Sequence, residues 1–488
     1  MTATVAARLR ELSTGHGDAV VSVDLDGVEQ RLSWPQVADG AGRIAAGLRD
    51  ADPGAERPAV VAVRATNTAA ALVRLLGVLA ADLPVLPLDP RMPDRERQRL
   101  LEFVAREYGP VHVLSGRSDG DDEPVAVVER VPGPDRGDER RPVAYLLATG
   151  GSSGLPKVVA APGPLRYDPA RVPSPLLRHA GWRTGQRQLI AGPLHHTGPF
   201  TSCLDGVLDR NVIVLLPVFT PELLVEQIRE QRIEWLQLTP SHLRTVLRFA
   251  EPDPASFATV RAVLHTAAAC DLATKQAWLD LLGPQRVFEA YGSTEQVGVT
   301  LVRGDEWLAR PGTVGRGFMT QIRILDDAGR RLPPGEVGAV YLRAGRAGRP
   351  SYLGGLPMAR TPDGFVSVGD HGWLDQDGYL FLAPRRTDLI NVGGENVYPA
   401  EVEAALLEHP SVLDAMVVGG PDPVFGAVVH ARVVRAAGAR PSGPELMRHC
   451  AARLAPYKVP NKISFVASVP RSAAGKLERW RSAAQEDG

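Results

Sequence analysis

Cysteine is scarce in this chain of 488 residues: Cys203, Cys270 and Cys450 lie far apart. Their spacing fits no metal motif, and an odd, scattered set excludes a disulfide scaffold. It reads as reduced core thiols of a cytoplasmic protein. Net charge is nearly absent too, −1 from 55 basic and 56 acidic residues. Neither nucleic acid nor an anionic membrane surface is therefore an expected partner. Long hydrophobic runs are lacking. The most apolar stretch, residues 69–88, is broken by Arg74, Asp82 and Pro84, so no segment is expected to span a bilayer. The opening Met1-Thr2-Ala3-Thr4-Val5 lacks the charged start and apolar core of a signal peptide. There is no internal repeat and no low-complexity tract. What the chain does have is 44% hydrophobic residues, enough for a large core and more than one domain.

Strand-like runs such as residues 60–63 alternate with helical stretches such as 69–80, which implies α/β layering. Residues 116–141, dense in Asp, Gly and Arg, and the Pro-rich residues 161–175 read as solvated connectors. A second strand–helix succession runs from 188 to 282, with a helix expected over 221–231 and a strand over 233–238. After Pro311 the pattern turns to short strands and tight turns, at 321–325, 337–342 and 379–382, which predicts a β-rich subdomain. A compositional break at 384–388 precedes a small unit. Its expected parts are helices at 399–408 and 444–454 and strands at 413–418, 428–434 and 463–466.

The most informative stretch is Thr149-Gly150-Gly151-Ser152-Ser153-Gly154-Leu155-Pro156-Lys157. It lies between two apolar strand-like runs. Glycines let a backbone approach an anion closely, and the N–H groups and hydroxyls then donate to phosphate oxygens. The loop is not a Walker A motif, because Leu155-Pro156 separates the last glycine from Lys157. On its own it could also be a surface turn. Tyr291-Gly292-Ser293-Thr294-Glu295 could stack a base, meet phosphate and hold Mg²⁺ through one carboxylate, or form an ordinary helix cap. Asp375-Gln376-Asp377-Gly378 lacks the third ligand and distal Glu of a calcium loop and reads as a plain β-turn. Asp370, expected at a strand end, is suited to grip a ribose diol. His195-His196 invites a metal reading, but no third ligand follows at usable spacing.

Taken in order, these motifs resemble those of the adenylate-forming superfamily: acyl-CoA synthetases, peptide-synthetase adenylation domains and firefly-type luciferases. The glycine-rich loop is similar to its Thr-Ser-Gly-Thr-Thr-Gly-x-Pro-Lys signature. Leu83-Pro84-Val85-Leu86-Pro87-Leu88-Asp89-Pro90 resembles its early core motif, and Pro193-Leu194-His195-His196-Thr197-Gly198 its aromatic-His gate. Tyr291–Glu295 resembles Tyr-Gly-x-Thr-Glu, and residues 367–385 its ribose-binding stretch. Gly393-Gly394-Glu395-Asn396 and the run from Pro470 to Lys476 complete seven motifs in register over roughly residues 20–480.

The resemblance implies an α/β fold, with a large N-terminal domain (1–385) of layered α/β subdomains plus a β-rich subdomain. A small mobile C-terminal α+β domain (386–488) would carry the catalytic lysine. It also implies an AMP-forming acid–thiol ligase: ATP and a carboxylic acid give an acyl-adenylate and pyrophosphate, and a thiol then displaces AMP. Lys476 would bridge the attacking carboxylate and the α-phosphate. Thr149 and Thr294 would donate to phosphates, Glu295 would hold Mg²⁺, and Tyr291 would stack on adenine. Asp370 and Arg385 would take the ribose. The loop residues Gly150, Gly151, Ser152, Ser153, Gly154 and Lys157 would cradle phosphate. His196 would gate the acyl pocket, and Gly394 would flank a thiol tunnel. Three departures stand out: Pro384 replaces the usual Gly before the ribose arginine, Thr387 takes the hinge position, and Val158 follows the loop lysine. Pro384 fixes φ and could stiffen the hinge.

The pocket is expected from residues 196–200, 237–240, 265–269, the surroundings of Tyr291, and 297–299. Small Ala267, Ala268, Gly292 and Val299, with rings from Phe200 and His265, suit a medium, for example aromatic, carboxylate better than a charged amino acid. The acceptor would be free CoA or a separate carrier protein. Alternatives are an amine, nitrite activated for diazotisation of an aryl amine, or a non-catalytic nucleotide-binding relative. A mere binder has no need of Lys476.

Overall fold

The computed structural model describes residues 2–24, 26–49, 59–115, 126–134, 142–149, 157–250, 252–268, 270, 272–345, 351–355, 358–383 and 390–469. They form two compact units. The first takes the described residues within Met1–Pro90, Leu101–Ala148 and Val158–Leu382. The second takes those within Arg91–Leu100, Thr149–Lys157 and Ala383–Gly488. The fold is α/β, with a large layered unit and a smaller mixed one, as expected.

Among its described residues the first unit holds two large sheets and the short pair Ala3–Thr4 with Arg166–Tyr167. In one, the strands Asp18–Val23, Val212–Leu215, Arg187–Ile190, Trp235–Leu238, Ala262–His265 and Val287–Glu289 lie side by side and parallel. Most of their residues are buried and apolar, with buried polar exceptions such as Gln188, His265 and Glu289. Beyond Val287–Glu289 the same sheet turns antiparallel through Thr300–Arg303 and Thr313–Gly317. It continues into the β-rich part built on Thr320–Leu325, Gly338–Ala344, His371–Leu374 and Leu380–Leu382. The other sheet centres on Val85–Leu88, with Val60–Arg64 and Val143–Thr149 as its neighbours.

Local chemistry sets the helix starts. Pro221–Glu230 and Pro240–Phe249 each begin with Thr-Pro. The threonine side chain accepts from a first-turn N–H, and proline occupies a position whose N–H has no helical partner. Ala69–Ala80 is capped by Thr68 in the same manner. Its nearly all-apolar composition suits a helix buried all round.

One connector was misjudged. Within 116–141, Ala126–Val131 is a strand paired antiparallel with Val111–Ser115. Charged Glu129 and Arg130 within it suit an edge strand, a pattern obscured by the polar residues before it. In the second unit, helices Pro399–Leu407 and Gly443–Ala451 pack on a sheet of Ile390–Val392, Glu395–Val397, Val412–Asp422, Gly426–Arg435 and Lys462–Phe465. The strand Val412–Asp422 outruns the expected 413–418 because its ladder to Gly426–Arg435 continues through Gly419 and Gly420 to the turn. Among the described residues no helix is long and apolar enough to cross a membrane.

Candidate functional site

In a parallel sheet, loops leaving the carboxyl ends of the strands gather the chemistry. Three such ends matter here: those of Arg187–Ile190, Trp235–Leu238 and Val287–Glu289. After the first comes Pro193-Leu194-His195-His196, pinned by buried Asn67. Its Nδ2 donates to the Gly192 carbonyl at 2.9 Å, and its Oδ1 accepts from the Leu194 N–H at 3.1 Å. His196 then stands at the N-cap of the helix Thr197–Leu208, its backbone extended and its side chain making no capping bond to the first turn. The buried His195 ring lies 4.4 Å from that of His196, centroid to centroid, and its Nε2 is 3.6 Å from Asp89 Oδ2. Asp89 thus joins this corner of the site. The early core motif contained it, but sequence spacing could not show that it meets His195.

Within this motif Tyr291 and Gly292 are extended against Thr300 and Val299. Ser293–Gln296 forms a turn closed by the Gln296 N–H on the Ser293 carbonyl at 3.0 Å; no helix follows, so the helix-cap alternative falls. The Tyr291 hydroxyl donates to Asp370 Oδ2 at 2.7 Å. Two residues 79 positions apart, chosen for adenine and ribose, are therefore neighbours. Asp370 is 5% exposed and sits just before the strand His371–Leu374. Glu295 is 9% exposed and accepts from the Tyr352 hydroxyl, a partner that the sequence did not suggest. A single carboxylate of this kind fits a Mg²⁺ ion whose other ligands are phosphate oxygens and water. Thr294 is half-buried beside it. The Asp375–Gly378 segment is a β-turn, with Asp375 Oδ1 accepting from the N–H groups of Asp377 and Tyr379.

In the second unit, Gly393 and Gly394 join Ile390–Val392 to Glu395–Val397 with φ of +60° and +96°. Both values belong to a tight hairpin turn that favours glycine. The Gly394 N–H donates to Asn391 Oδ1 at 2.9 Å. Lys157 opens the strand Lys157–Pro162, its Nζ 5.3 Å from the Tyr398 ring centre. Thr149 ends the strand Val143–Thr149, with only its backbone described. Gly150, Gly151, Ser152, Ser153, Gly154, Arg385 and Lys476 lie outside the described residues. So do Ala269, Pro384 and Thr387.

One expectation is overturned. His265 brings no ring to the pocket. In the sheet register Gln237 pairs with Leu264, while Leu238, His265 and Glu289 line up on the opposite face. There, the Lys275 ammonium contacts His265 Nε2 and lies 3.1 Å from Glu289 Oε2. All three side chains are buried. Burial, and then the Lys275 charge, hold the His265 pKa well below its ordinary value, so the ring is neutral. Burial pushes Glu289 up, against the Lys275 charge and hydrogen bond. A signal for Lys275 did exist: it lies on the same helical stripe as Trp278, Leu279 and Leu282, where a lysine is out of place.

On the pocket face, Gln237 Nε2 donates to Thr266 Oγ1 at 3.1 Å. Phe200 stacks edge-on against Tyr145 at 5.2 Å, and the Tyr145 hydroxyl accepts from Gln296 Nε2 at 3.0 Å.

Against known families, the AMP-binding enzyme model matches residues 9–352, and the AMP-binding enzyme C-terminal domain matches 401–476. The chain belongs to the AMP-binding enzymes. Its relatives place it in the acyl- and aryl-CoA synthetase-like branch of the adenylate-forming superfamily. It is 34% identical over 349 residues to the fatty acid–[acyl-carrier-protein] ligase ScoC of Streptomyces coeruleorubidus, covering 69% of this chain and 66% of that one. It is also 34% identical over 346 residues to the 2-succinylbenzoate–CoA ligase of Bacillus velezensis, covering 69% and 68%. The matched part thus spans about two thirds of these relatives. Among solved structures, the amide bond synthetase McbA of Marinactinospora thermotolerans superimposes with a TM-score of 0.77 at 26% identity, covering 98% of this AMP-binding enzyme and 99% of McbA.

Proposed function

We propose that this AMP-binding enzyme activates a carboxylic acid as its acyl-adenylate and transfers the acyl group to CoA, releasing AMP. The observation that carries the reading is the Tyr291–Asp370 hydrogen bond, which joins the adenine and ribose candidates in one corner with Glu295 four residues on.

In the first half-reaction a carboxylate oxygen attacks the α-phosphorus, and the bond to the β-phosphate bridging oxygen breaks, releasing pyrophosphate. Two anions must meet, and Lys476 is the cation assigned to offset their repulsion. At about 4 Å and an effective dielectric of ~20 a unit charge is worth about 4 kcal/mol. If half of it acts only in the transition state, the rate gain is roughly 30-fold, and full realisation approaches ~10³. The loop from Thr149 to Lys157 and Thr294 hold the phosphates. Tyr291 presents its ring to adenine while its hydroxyl orients Asp370 toward the ribose, with Arg385 completing the grip. Mg²⁺ held by Glu295 would neutralise charge on the phosphate oxygens. In the second half-reaction a thiol sulfur attacks the acyl carbon, the C–O bond to AMP breaks, and the thiol proton passes to solvent. The reading divides the chain into an adenylation domain, 1–385, and a C-terminal domain, 386–488. The latter exchanges Lys476 for a thiol path beside Gly394. It places the enzyme in the cytoplasm.

Likeness to an acyl-carrier-protein ligase and an amide bond synthetase supports a second acceptor reading, a carrier-protein thiol or an amine in place of CoA. Mass spectrometry with ATP, Mg²⁺ and a pool of carboxylic acids, with and without CoA, tests both. An acyl-CoA mass that requires CoA establishes the first. AMP or acyl-adenylate without a CoA adduct favours the second, and no AMP with any acid refutes both.

A further inference from the structure

We propose that Tyr352 is a positioning residue of this site: its hydroxyl fixes the Glu295 carboxylate so that one oxygen is kept for Mg²⁺. The proposal rests on the acid-activating reading above and on Glu295 as the metal ligand within it.

Glu295 stands in the turn Ser293–Gln296, whose backbone is held from the far side. Gln296, next in the chain, has a left-handed φ of +51°, which side chains other than glycine's rarely adopt. Its Nε2 donates to the Tyr145 hydroxyl at 3.0 Å. A fixed backbone does not fix a glutamate. Its side-chain torsions, the last of them broad, still let the carboxylate sweep over several positions. The Tyr352 hydroxyl removes that freedom by donating to Oε1. Among the described residues the other oxygen, Oε2, accepts no hydrogen bond, and it is the atom left to the metal.

The fold carries the tyrosine to this place. Ser351–Tyr352 is a two-residue strand paired antiparallel with Lys157–Pro162, Tyr352 opposite Val159 and Ser351 opposite Ala160. Lys157–Pro162 is the strand that leaves the glycine-rich loop. Leu353, the next residue, is buried and anchors the segment. One side chain thus ties the carboxylate to the strand that follows the phosphate-binding loop, across 57 positions of sequence. A hydroxyl donating to a carboxylate makes a short, charge-assisted bond, strong enough to select one rotamer. A carboxylate ordered before the metal arrives loses less freedom on binding it. Carboxylates that hold metals are in general hydrogen-bonded in this way, and the partner matters to the metal.

Tyr352→Phe removes the hydroxyl and keeps the ring. The readout is ATP affinity by isothermal titration calorimetry, once with Mg²⁺ and once with the metal chelated by EDTA. In the wild type Mg²⁺ should tighten ATP binding. The variant should bind Mg²⁺-ATP about 10-fold more weakly and leave metal-free ATP unchanged. In pyrophosphate release the half-saturating Mg²⁺ concentration should rise by a similar factor, with kcat at saturating Mg²⁺ close to the wild type's. In a Glu295→Gln background, Tyr352→Phe should change Mg²⁺-ATP affinity by less than about twofold, because the group it acts through is gone. Tyr352→Met, which also lacks the hydroxyl, carries the test if Tyr352→Phe does not fold. An unchanged Mg²⁺-ATP affinity, an equal loss with and without Mg²⁺, or additivity with Glu295→Gln overturns the proposal and leaves acid activation standing. If Glu295→Gln itself leaves Mg²⁺-ATP affinity unchanged, the metal assignment falls, and this proposal with it. No pyrophosphate release with any acid overturns acid activation and the positioning role together.

Discussion

Replacing Lys275 by methionine should destabilise the first unit by several kcal/mol while removing almost no volume. The ammonium lies 3.1 Å from Glu289 Oε2 with both groups buried. At an effective dielectric of ~20, that separation corresponds to about 5 kcal/mol of attraction. Desolvation of the pair offsets part of it, but the substitution does not return that cost, because Glu289 stays buried without its cation. A loss of about 3–5 kcal/mol is expected. The variant should also respond to pH. Burial already raises Glu289 above its unfolded value, so the folded state binds the proton more tightly and this carboxylate costs stability as pH rises. Without Lys275 the rise is larger, and the variant should lose less at pH 5 than at pH 8. Urea denaturation followed by tryptophan fluorescence is the assay, since six of the seven tryptophans fall within the first unit. The double variant Lys275→Met with Glu289→Gln should regain at least about 2 kcal/mol over the single one. A single-variant loss under about 1 kcal/mol, or simple additivity in the cycle, would refute the reasoning.

Asp205, on the helix Thr197–Leu208, is pushed up to about 7 by burial, against a hydrogen bond from the Ser174 N–H at 2.8 Å. A raised carboxylate favours the folded state while protonated, so its contribution is lost as pH climbs from about 4 to about 7. Asp205→Asn should therefore gain about 2–4 kcal/mol on the wild type between pH 5 and pH 8, measured by denaturation at each pH; parallel pH profiles would contradict this. Cys203 is buried and its thiol raised to about 12, as is that of Cys450. At pH 8 a thiol-specific reagent should label the partly exposed Cys270 well before either, and fast labelling of Cys203 in the folded protein would count against its burial. Lys476→Ala should abolish adenylate formation with ATP binding nearly intact, and full activity in that variant would remove the lysine from the mechanism. Gly394→Leu should spare pyrophosphate release but block thioester formation, and an unchanged thioester yield would displace the thiol path.

Much of the architecture could be read from residue order. The helix Ala69–Ala80, the Thr-Pro helix starts and the switch to short strands after Pro311 follow from patterns of apolar residues, caps and turns, which are local. The edge strand Ala126–Val131 escaped because its pairing partner, not its composition, makes it a strand. The candidate site divides along the same line. Tyr291, Glu295 and Asp370 were marked by motif, but the hydrogen bond that joins Tyr291 to Asp370 spans 79 positions and depends on how the sheet folds back on itself.

His265 shows the boundary most sharply. Sequence placed it near the pocket, correctly along the strand, yet a strand's side chains alternate between faces. Only the pairing of Leu238, His265 and Glu289 decides that its ring turns to Lys275, leaving the pocket face to Gln237 and Thr266. The sequence by itself determined the family, the α/β layering and the residue types of an adenylating site, because each is written in short-range patterns. The tertiary structure alone decided which side chains meet. Contacts such as Asp89 with His195, Tyr352 with Glu295 and Gly198 with Gln237 are set by strand register and close packing, which act between residues far apart in the chain.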